Sequence, residues 1–150
     1  MTVNAEAIGK RYEPTTYAVG REKIVEYALA TGETNRLHLD VAAARAAGHA
    51  DVVAPPMFAV FYQQRSVVGA LFDPALAIDF VHLVHGEQEF RWERLVVAGD
   101  ELTTTLTVAD ISERVGMAFF AFATESVNQR GETVCTGRWN NIVRRPHEPA

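Results

Sequence analysis

The segment that follows Pro55 and Pro56 constrains the fold more than any other part of the chain. Proline suits the first turn of a helix, so the two prolines predict a helix over about Met57 to Leu71. Its first residues, Met57 to Tyr62, are apolar on nearly every side. A helix that is apolar all round is a buried helix, so the rest of the chain must wrap around it.

The residues before this segment predict a short strand and two further helices. Thr15 to Val19 can form the strand, and a helical spacing of apolar residues begins after Gly20 and stops at Gly32, which suits a helix C-terminus. Asp40 is an N-cap candidate for an alanine-rich helix that continues to Ala47.

The second half of the chain changes to a period of two residues, which is typical of strands. Leu102 to Val108 alternates apolar residues with threonine, and Met117 to Ala123 is apolar on both faces. Asn128 to Gly131 is a hairpin loop, and Val134 to Val143 is the returning strand. The sequence therefore predicts an α+β fold, in which residues 1–150 form a single domain with a meander of antiparallel strands around the buried helix.

Composition excludes several classes of function. The chain has 150 residues, a net charge of −5 and no basic block, which argues against nucleic acid or an anionic membrane as the main partner. No apolar run is long enough to span a bilayer, and the N-terminus lacks the apolar core of a signal peptide. The single cysteine, Cys135, fits a reducing compartment and a buried structural thiol. We therefore expect a cytoplasmic protein.

Motif searches exclude the common cofactor chemistries. The glycines match neither a dinucleotide-binding loop nor a phosphate-binding loop, and there is no G-x-S-x-G elbow. The histidines show neither H-x-H nor H-E-x-x-H spacing. We therefore expect no metal and no cofactor.

The loop from Gly32 to Asp40, between the first two predicted helices, is the strongest candidate for chemistry. Glu33 and His38 are five residues apart on this loop, so their side chains can point into one cleft. A carboxylate and a group that titrates near neutrality are the pair needed to hold one water and move its proton. From the local pattern alone, a solvated turn is the commoner explanation of such a loop.

The loop sequence Gly-Glu-Thr-Asn-Arg-Leu-His-Leu-Asp resembles the hydratase motif Gly-Asp-x-Asn-Pro-Leu-His-x-Asp of the MaoC-like (R)-specific enoyl-thioester hydratases and dehydratases. Glu33 stands at the aspartate of that motif and Arg36 at its proline. Gly20–Ile24, Val53–Phe58 and Val84–Gln88 resemble the branch with a fungal-synthase-type dehydratase domain, which includes the HadA-type subunits. The resemblance implies a single hotdog fold, in which a curved antiparallel sheet wraps a long central helix.

The resemblance also implies roles for individual residues. His38 would be the general base that activates water in hydration and the acid that helps expel it in dehydration. Glu33 would hold the same water and share the proton transfer, and Asn35 would orient the loop or the water. The N-terminus of the buried helix would stabilise the enolate oxygen, with the N–H of Met57 as donor because Pro56 has no N–H.

Further residues are candidates for the acyl pocket. Phe58 and Phe61 could line it, although core packing explains them equally well. His85 lies on a predicted strand whose counterpart in the family runs near the pocket, although a structural role is commoner for such a histidine. Tyr62 is expected to serve helix–sheet packing or a dimer contact, and Trp92 to anchor the sheet rather than to stack on substrate.

The leading functional hypothesis is a hydro-lyase that hydrates trans-2-enoyl thioesters or dehydrates 3-hydroxyacyl thioesters in fatty-acid or related acyl metabolism. The substrate would be carried by coenzyme A or an acyl carrier protein, and the protein would form a homodimer or a heterodimer with a HadB-like subunit. The alternative is a non-catalytic HadA-like subunit that binds the acyl chain beside a catalytic partner. His38 and Asn35 favour the enzyme, whereas Glu33 and Pro56 favour the partner subunit. A hotdog thioesterase is the third alternative.

Overall fold

A buried helix lies at the centre of the structure, as the two prolines predict. The computed structural model describes residues 3–144. Helix α3 (Ala59–Leu71) follows directly from a 3-10 turn, Pro56–Phe58, whose N-cap is Pro55. Ala59, Tyr62, Gln63, Ser66, Val67 and Ala70 of this helix are buried.

A five-stranded antiparallel sheet covers α3 in the described part of the chain. Its strand order is β1-β3-β4-β5-β2, so β1 and β2 are the two edges. The strands are β1 (Thr15–Ala18), β2 (Leu83–Trp92), β3 (Glu101–Arg114), β4 (Met117–Val127) and β5 (Thr133–Val143). The meander predicted from the period-two pattern is confirmed, and the long helix under an antiparallel sheet is the arrangement expected of a hotdog fold.

Three register shifts interrupt the ladders of the described sheet. They lie between His85 and Glu87 of β2, between Val108 and Asp110 of β3, and between Ser126 and Val127 of β4. A bulge inserts an extra residue into one strand and increases the local twist. These irregularities therefore help the sheet to curve around α3.

The two predicted N-terminal helices are also confirmed, and they flank the loop singled out above. Helix α1 (Arg21–Ala30) comes before this loop, and helix α2 (Val41–Ala46) follows it. Asp40 caps α2, because its Oδ1 accepts the N–H groups of Ala42 and Ala43 at 2.8 and 3.2 Å. A 3-10 turn, Arg36–His38, lies within the loop. The loop is therefore held between two helix ends.

Hydrogen bonds join α3 to the sheet deep in the core. The fully buried Gln63 accepts at Oε1 from the Thr124 hydroxyl at 2.5 Å and from the Trp139 indole at 3.3 Å. Its Nε2 donates to the Ser126 hydroxyl at 3.1 Å. We call these four residues the Gln63 cluster. Gly137 of β5 makes room for them, because a Cβ there would lie 2.5 Å from the Thr124 hydroxyl and would also clash with Gln63.

Among the residues that the structure describes, no helix combines the length and the apolar character needed to cross a membrane.

Candidate active site

A cavity of about 390 Å³ lies between the N-terminus of α3, the end of β2 and the loop between α1 and α2. Side chains such as Leu37, Val53 and Val96 make its wall mostly apolar. The volume is near the small end of the range of ligand pockets, about 300–1,000 Å³. Within residues 3–144, no group of three or more His, Cys, Asp or Glu side chains is placed to hold a metal ion.

His38 is a buried polar residue in the wall of this cavity. Its Nδ1 lies 2.7 Å from the carbonyl oxygen of Val53. A carbonyl can only accept, so Nδ1 carries the proton and Nε2 has the lone pair in the neutral ring. The N–H of Val53 donates to the Leu37 carbonyl at 2.9 Å. Both backbone polar groups of Val53 therefore bind the turn that carries His38. The histidine is thus held in the tautomer of a general base that acts through Nε2.

Asn35 also lines the cavity, and its side chain shapes the turn that carries His38. Its Oδ1 accepts the N–H of Leu37 at 3.0 Å and thereby caps the 3-10 turn Arg36–His38. Side-chain caps of this kind satisfy an N–H that the turn itself leaves without an acceptor. Asn35 therefore positions the loop on which His38 lies.

Glu33 is not part of the cavity wall, although the sequence predicts it in one cleft with His38. Its Oε1 accepts the N–H groups of Thr34 and Asn35 at 2.9 and 3.0 Å, because a glutamate side chain is long enough to turn back onto its own loop. The backbone N–H groups of Asn35 and then Thr34 lower the pKa of the Glu33 carboxyl. Glu33 is therefore a carboxylate at neutral pH, and a weak base.

The start of the buried helix offers one backbone donor, that of Met57, which is not itself in the cavity wall although its neighbour Pro56 is. Pro56 has no N–H, and the N–H groups of Phe58 and Ala59 donate to carbonyls of the same turn. Met57 lies between Pro56 and Phe58 in the first turn, where a helix provides no acceptor for the backbone N–H. Trp92 packs here as well, because its indole N–H donates to the Pro56 carbonyl at 2.9 Å. The N–H of Met57 is thus the donor that the helix geometry leaves for a ligand.

The other predicted pocket residues lie away from the cavity wall. The rings of Phe58 and Phe61 pack edge to face against Tyr27 of α1, with centroids 5.7 and 5.4 Å apart. Consecutive helix residues point about 100° apart, so these two rings face α1 while Ala59 faces the cavity. His85 is exposed on β2, with its ring 5.9 Å from that of Trp139. The cavity wall therefore excludes all three predicted residues.

Apart from aliphatic residues, sequence reasoning missed four residues that line the cavity, namely Tyr62, Trp92, His49 and Arg94. Tyr62 was expected to serve helix–sheet packing or a dimer contact, and Trp92 to anchor the sheet. Tyr62 follows Ala59 by three positions, so it shares the same helix face, and this spacing could have identified it. His49 and Arg94 lie on irregular segments with no periodic pattern to mark them.

The comparison with protein families gives the class of protein. The family model described as "FAS1-like, dehydratase domain region" matches residues 6–137. The chain belongs to this family, and the resemblance to MaoC-like dehydratases is confirmed.

Individual relatives and solved structures show how far the similarity extends and which fold the chain has. A protein of Saccharopolyspora erythraea named UPF0336 protein is 42% identical over 145 residues, which cover 96% of this chain and 93% of the relative. A chain of the C-terminally truncated HadBC (3R-hydroxyacyl-ACP dehydratase) complex of Mycobacterium tuberculosis superposes with a TM-score of 0.79 at 24% identity, over 91% of this chain and 96% of that chain. The R-hydratase PhaJ1 of Pseudomonas aeruginosa gives 0.69 at 22% identity, over 95% and 87% of the two chains. The hotdog fold is therefore confirmed.

Proposed function

We propose that this chain catalyses the (R)-specific hydration of trans-2-enoyl thioesters and the reverse dehydration of 3-hydroxyacyl thioesters. One observation carries the proposal: a buried histidine, His38, is fixed as a base in the wall of an apolar cavity that begins at the N-terminus of the buried helix. Membership of a dehydratase-domain family supports it, as do structural neighbours described as a dehydratase and an R-hydratase.

The proton transfers centre on His38. In hydration, Nε2 takes a proton from water while the water oxygen forms a bond to the β carbon of the enoyl thioester. The electron pair of the double bond moves toward the thioester carbonyl, which becomes an enolate. His38 then returns the proton to the α carbon on the same face, so the balance is the addition of one water.

The enolate oxygen requires a hydrogen-bond donor that is already in place. The N–H of Met57 meets this need at the start of α3, where the helix dipole also favours negative charge. The Trp92 indole, by binding the Pro56 carbonyl, would fix the turn that presents this N–H. We therefore assign the stabilisation of the enolate to Met57.

Glu33 would orient the water. Its Oε1 is bound to the backbone of its own loop, so Oε2 is the oxygen that would accept a hydrogen bond from the second O–H of the water. Because its carboxylate is stabilised in the charged form, it would accept a hydrogen bond more readily than it would take a proton. In this arrangement His38 carries the proton and Glu33 fixes the water beside it.

The acyl group would lie in the cavity, carried by coenzyme A or an acyl carrier protein. The apolar wall suits a hydrocarbon chain. The neighbour from Mycobacterium tuberculosis is described as a 3R-hydroxyacyl-ACP dehydratase, which supports a carrier of this class.

We further propose that β2 pairs with the same strand of a second chain. β2 is an edge strand, and exposed apolar residues stand near both of its ends: Val81 and Val84 at its start, and Trp92 and Leu95 at its end. Antiparallel pairing around a two-fold axis would bring the start of one strand to the end of the other. The partner would then cover the apolar rim of the cavity beside Trp92.

The position of Glu33 favours a second candidate, a non-catalytic subunit that binds the acyl chain beside a catalytic hotdog chain. Its carboxylate is turned onto its own loop rather than into the cavity. The neighbour HadBC is itself described as a complex, which supports a heterodimer of this kind.

The test is hydration of crotonyl-CoA by the purified chain, followed by the loss of absorbance of the conjugated thioester. We expect turnover that falls by roughly 10²–10⁴-fold in His38→Ala, the usual contribution of a general base. Glu22→Ala is the control, because this exposed side chain of α1 lies outside the cavity wall and outside β2, and it should retain the wild-type rate. An equal rate in His38→Ala and wild type would refute the assignment. If the wild-type chain alone is inactive but a HadB-like chain restores turnover, the second candidate is favoured.

A further inference from the structure

Tyr62 belongs to the buried side of the cavity wall. It is 2% exposed and is the largest buried side chain in the cavity wall. It lies about one helical turn beyond Ala59 on the same face of α3, the face that borders the cavity. An acyl chain that runs along this face from the start of α3 would therefore meet the Tyr62 ring. Its hydroxyl contacts the buried thiol of Cys135 on β5, so the ring extends from the helix to the sheet.

Beside Tyr62, the contacts between α3 and the sheet include buried polar groups that hydrogen-bond to one another. Gln63, the next residue of α3, belongs to the hydrogen-bonded Gln63 cluster. The Thr104 hydroxyl ties this region to α3, because it lies 2.7 Å from the Ser126 hydroxyl and donates to the carbonyl of Tyr62 at 3.2 Å. A hydrocarbon chain that advanced between helix and sheet would separate these partners and leave buried polar groups unsatisfied.

We propose that Tyr62 ends the acyl pocket and limits the substrate to a short chain, of the length of a butenoyl or hexenoyl group. The inference rests on the function proposed above and specifies its substrate class. Tyr62 is five residues beyond Met57, which is about 8 Å along the helix axis and close to the extended length of a hexenoyl chain.

Each buried methylene ordinarily strengthens binding, so an open apolar pocket would favour the longer chain. A preference for the shorter chain would therefore indicate that the pocket is closed at its end. We expect the wild-type kcat/KM for trans-2-octenoyl-CoA to be at least about tenfold lower than for crotonyl-CoA, since even one methylene too many is discriminated by about 10–200-fold in a closed pocket. Butyryl-CoA and octanoyl-CoA, measured by calorimetry, should show the same order of affinity without any turnover.

Three variants test the role of the ring. Tyr62→Ala opens the end of the pocket and should reduce the discrimination against the octenoyl substrate by at least about tenfold. Tyr62→Leu removes less volume and serves if the alanine variant does not fold. Tyr62→Phe keeps the ring and loses only the hydroxyl, so its chain-length profile should match the wild type.

The outcomes separate this inference from the proposed function. If no enoyl-CoA is turned over but butyryl-CoA is bound more tightly than octanoyl-CoA, and Tyr62→Leu reverses that order, the short-chain pocket stands and the hydratase assignment fails. If the wild type binds octanoyl-CoA as tightly as butyryl-CoA, the inference is overturned. It is also overturned if neither thioester binds, or if both the alanine and leucine variants keep the wild-type profile.

Discussion

The close approach of α3 to β5 at Gly137 predicts a large loss of stability on adding one methyl group. In Gly137→Ala, the new Cβ would overlap Gln63 and would lie 2.5 Å from the Thr124 hydroxyl, so the Gln63 cluster must move or break. Overpacking a core costs about 1–3 kcal/mol, and a buried polar group left without its partner costs about 1–3 kcal/mol. We therefore expect the free energy of unfolding to fall by about 2–4 kcal/mol.

Gly69 provides the matched control for this substitution. It lies on α3, and a Cβ there would meet nothing within 4 Å. Gly69→Ala should therefore stabilise the protein by about 0.5–1 kcal/mol, because alanine is preferred to glycine within a helix. Thermal and urea denaturation followed by circular dichroism, at one protein concentration, measure both variants. A loss below about 0.5 kcal/mol in Gly137→Ala would refute the described spacing of helix and sheet.

The remaining predictions concern the loop and its neighbours. Asn35→Ala should reduce kcat more than it raises KM, because the cap of the turn that carries His38 is lost; Asn35→Asp keeps an acceptor oxygen and should retain most of the rate. Glu33→Gln keeps the length of the side chain but not its charge, and we expect kcat for crotonyl-CoA to fall by about tenfold or more; an unchanged kcat would exclude a charge-dependent role. The guanidinium of Arg21, bonded at 2.8 and 2.6 Å, holds the pKa of the buried Asp51 at about 2, below the unfolded value of about 3.9. The stability from this pair is therefore present above about pH 4 and lost as the pH falls toward about 2. The difference in Tm between wild type and Asp51→Asn should be constant at neutral pH and shrink across that acidic range, and a difference that persists unchanged at pH 2 would contradict the ion pair.

Local signals predicted the elements of the fold with few errors. The prolines before α3 and the side chain of Asp40 act on residues adjacent to them, so a single sequence carries the information. Alternation along β3 likewise reflects which side chains face α3. The strand order, with β2 at the edge, depends on contacts between distant segments, and the sequence analysis did not predict it.

The site was predicted less completely, for physical reasons that differ from residue to residue. The apolar pattern of the helix predicts that Tyr62 is buried. It does not show whether the Tyr62 ring packs against other core residues or lines a cavity. The carboxylate of Glu33 can bind either the backbone of its own loop or a group in the cavity, and it binds the backbone. Residue spacing does not show which of these two interactions is the more stable. His38 was identified by its motif, whereas its tautomer follows from the carbonyl of Val53, fifteen residues away.

The two tryptophans give the protein an optical signal for ligand binding. Trp92 is 47% exposed in the wall of the cavity, whereas Trp139 is 6% exposed within the core. A ligand that enters the cavity would remove water from the indole of Trp92 and leave that of Trp139 unchanged. Binding should therefore move the maximum of the tryptophan fluorescence of the unlabelled protein to shorter wavelength. This shift should be absent in Trp92→Phe. Occupancy of the cavity can thus be followed directly with ligands that undergo no reaction.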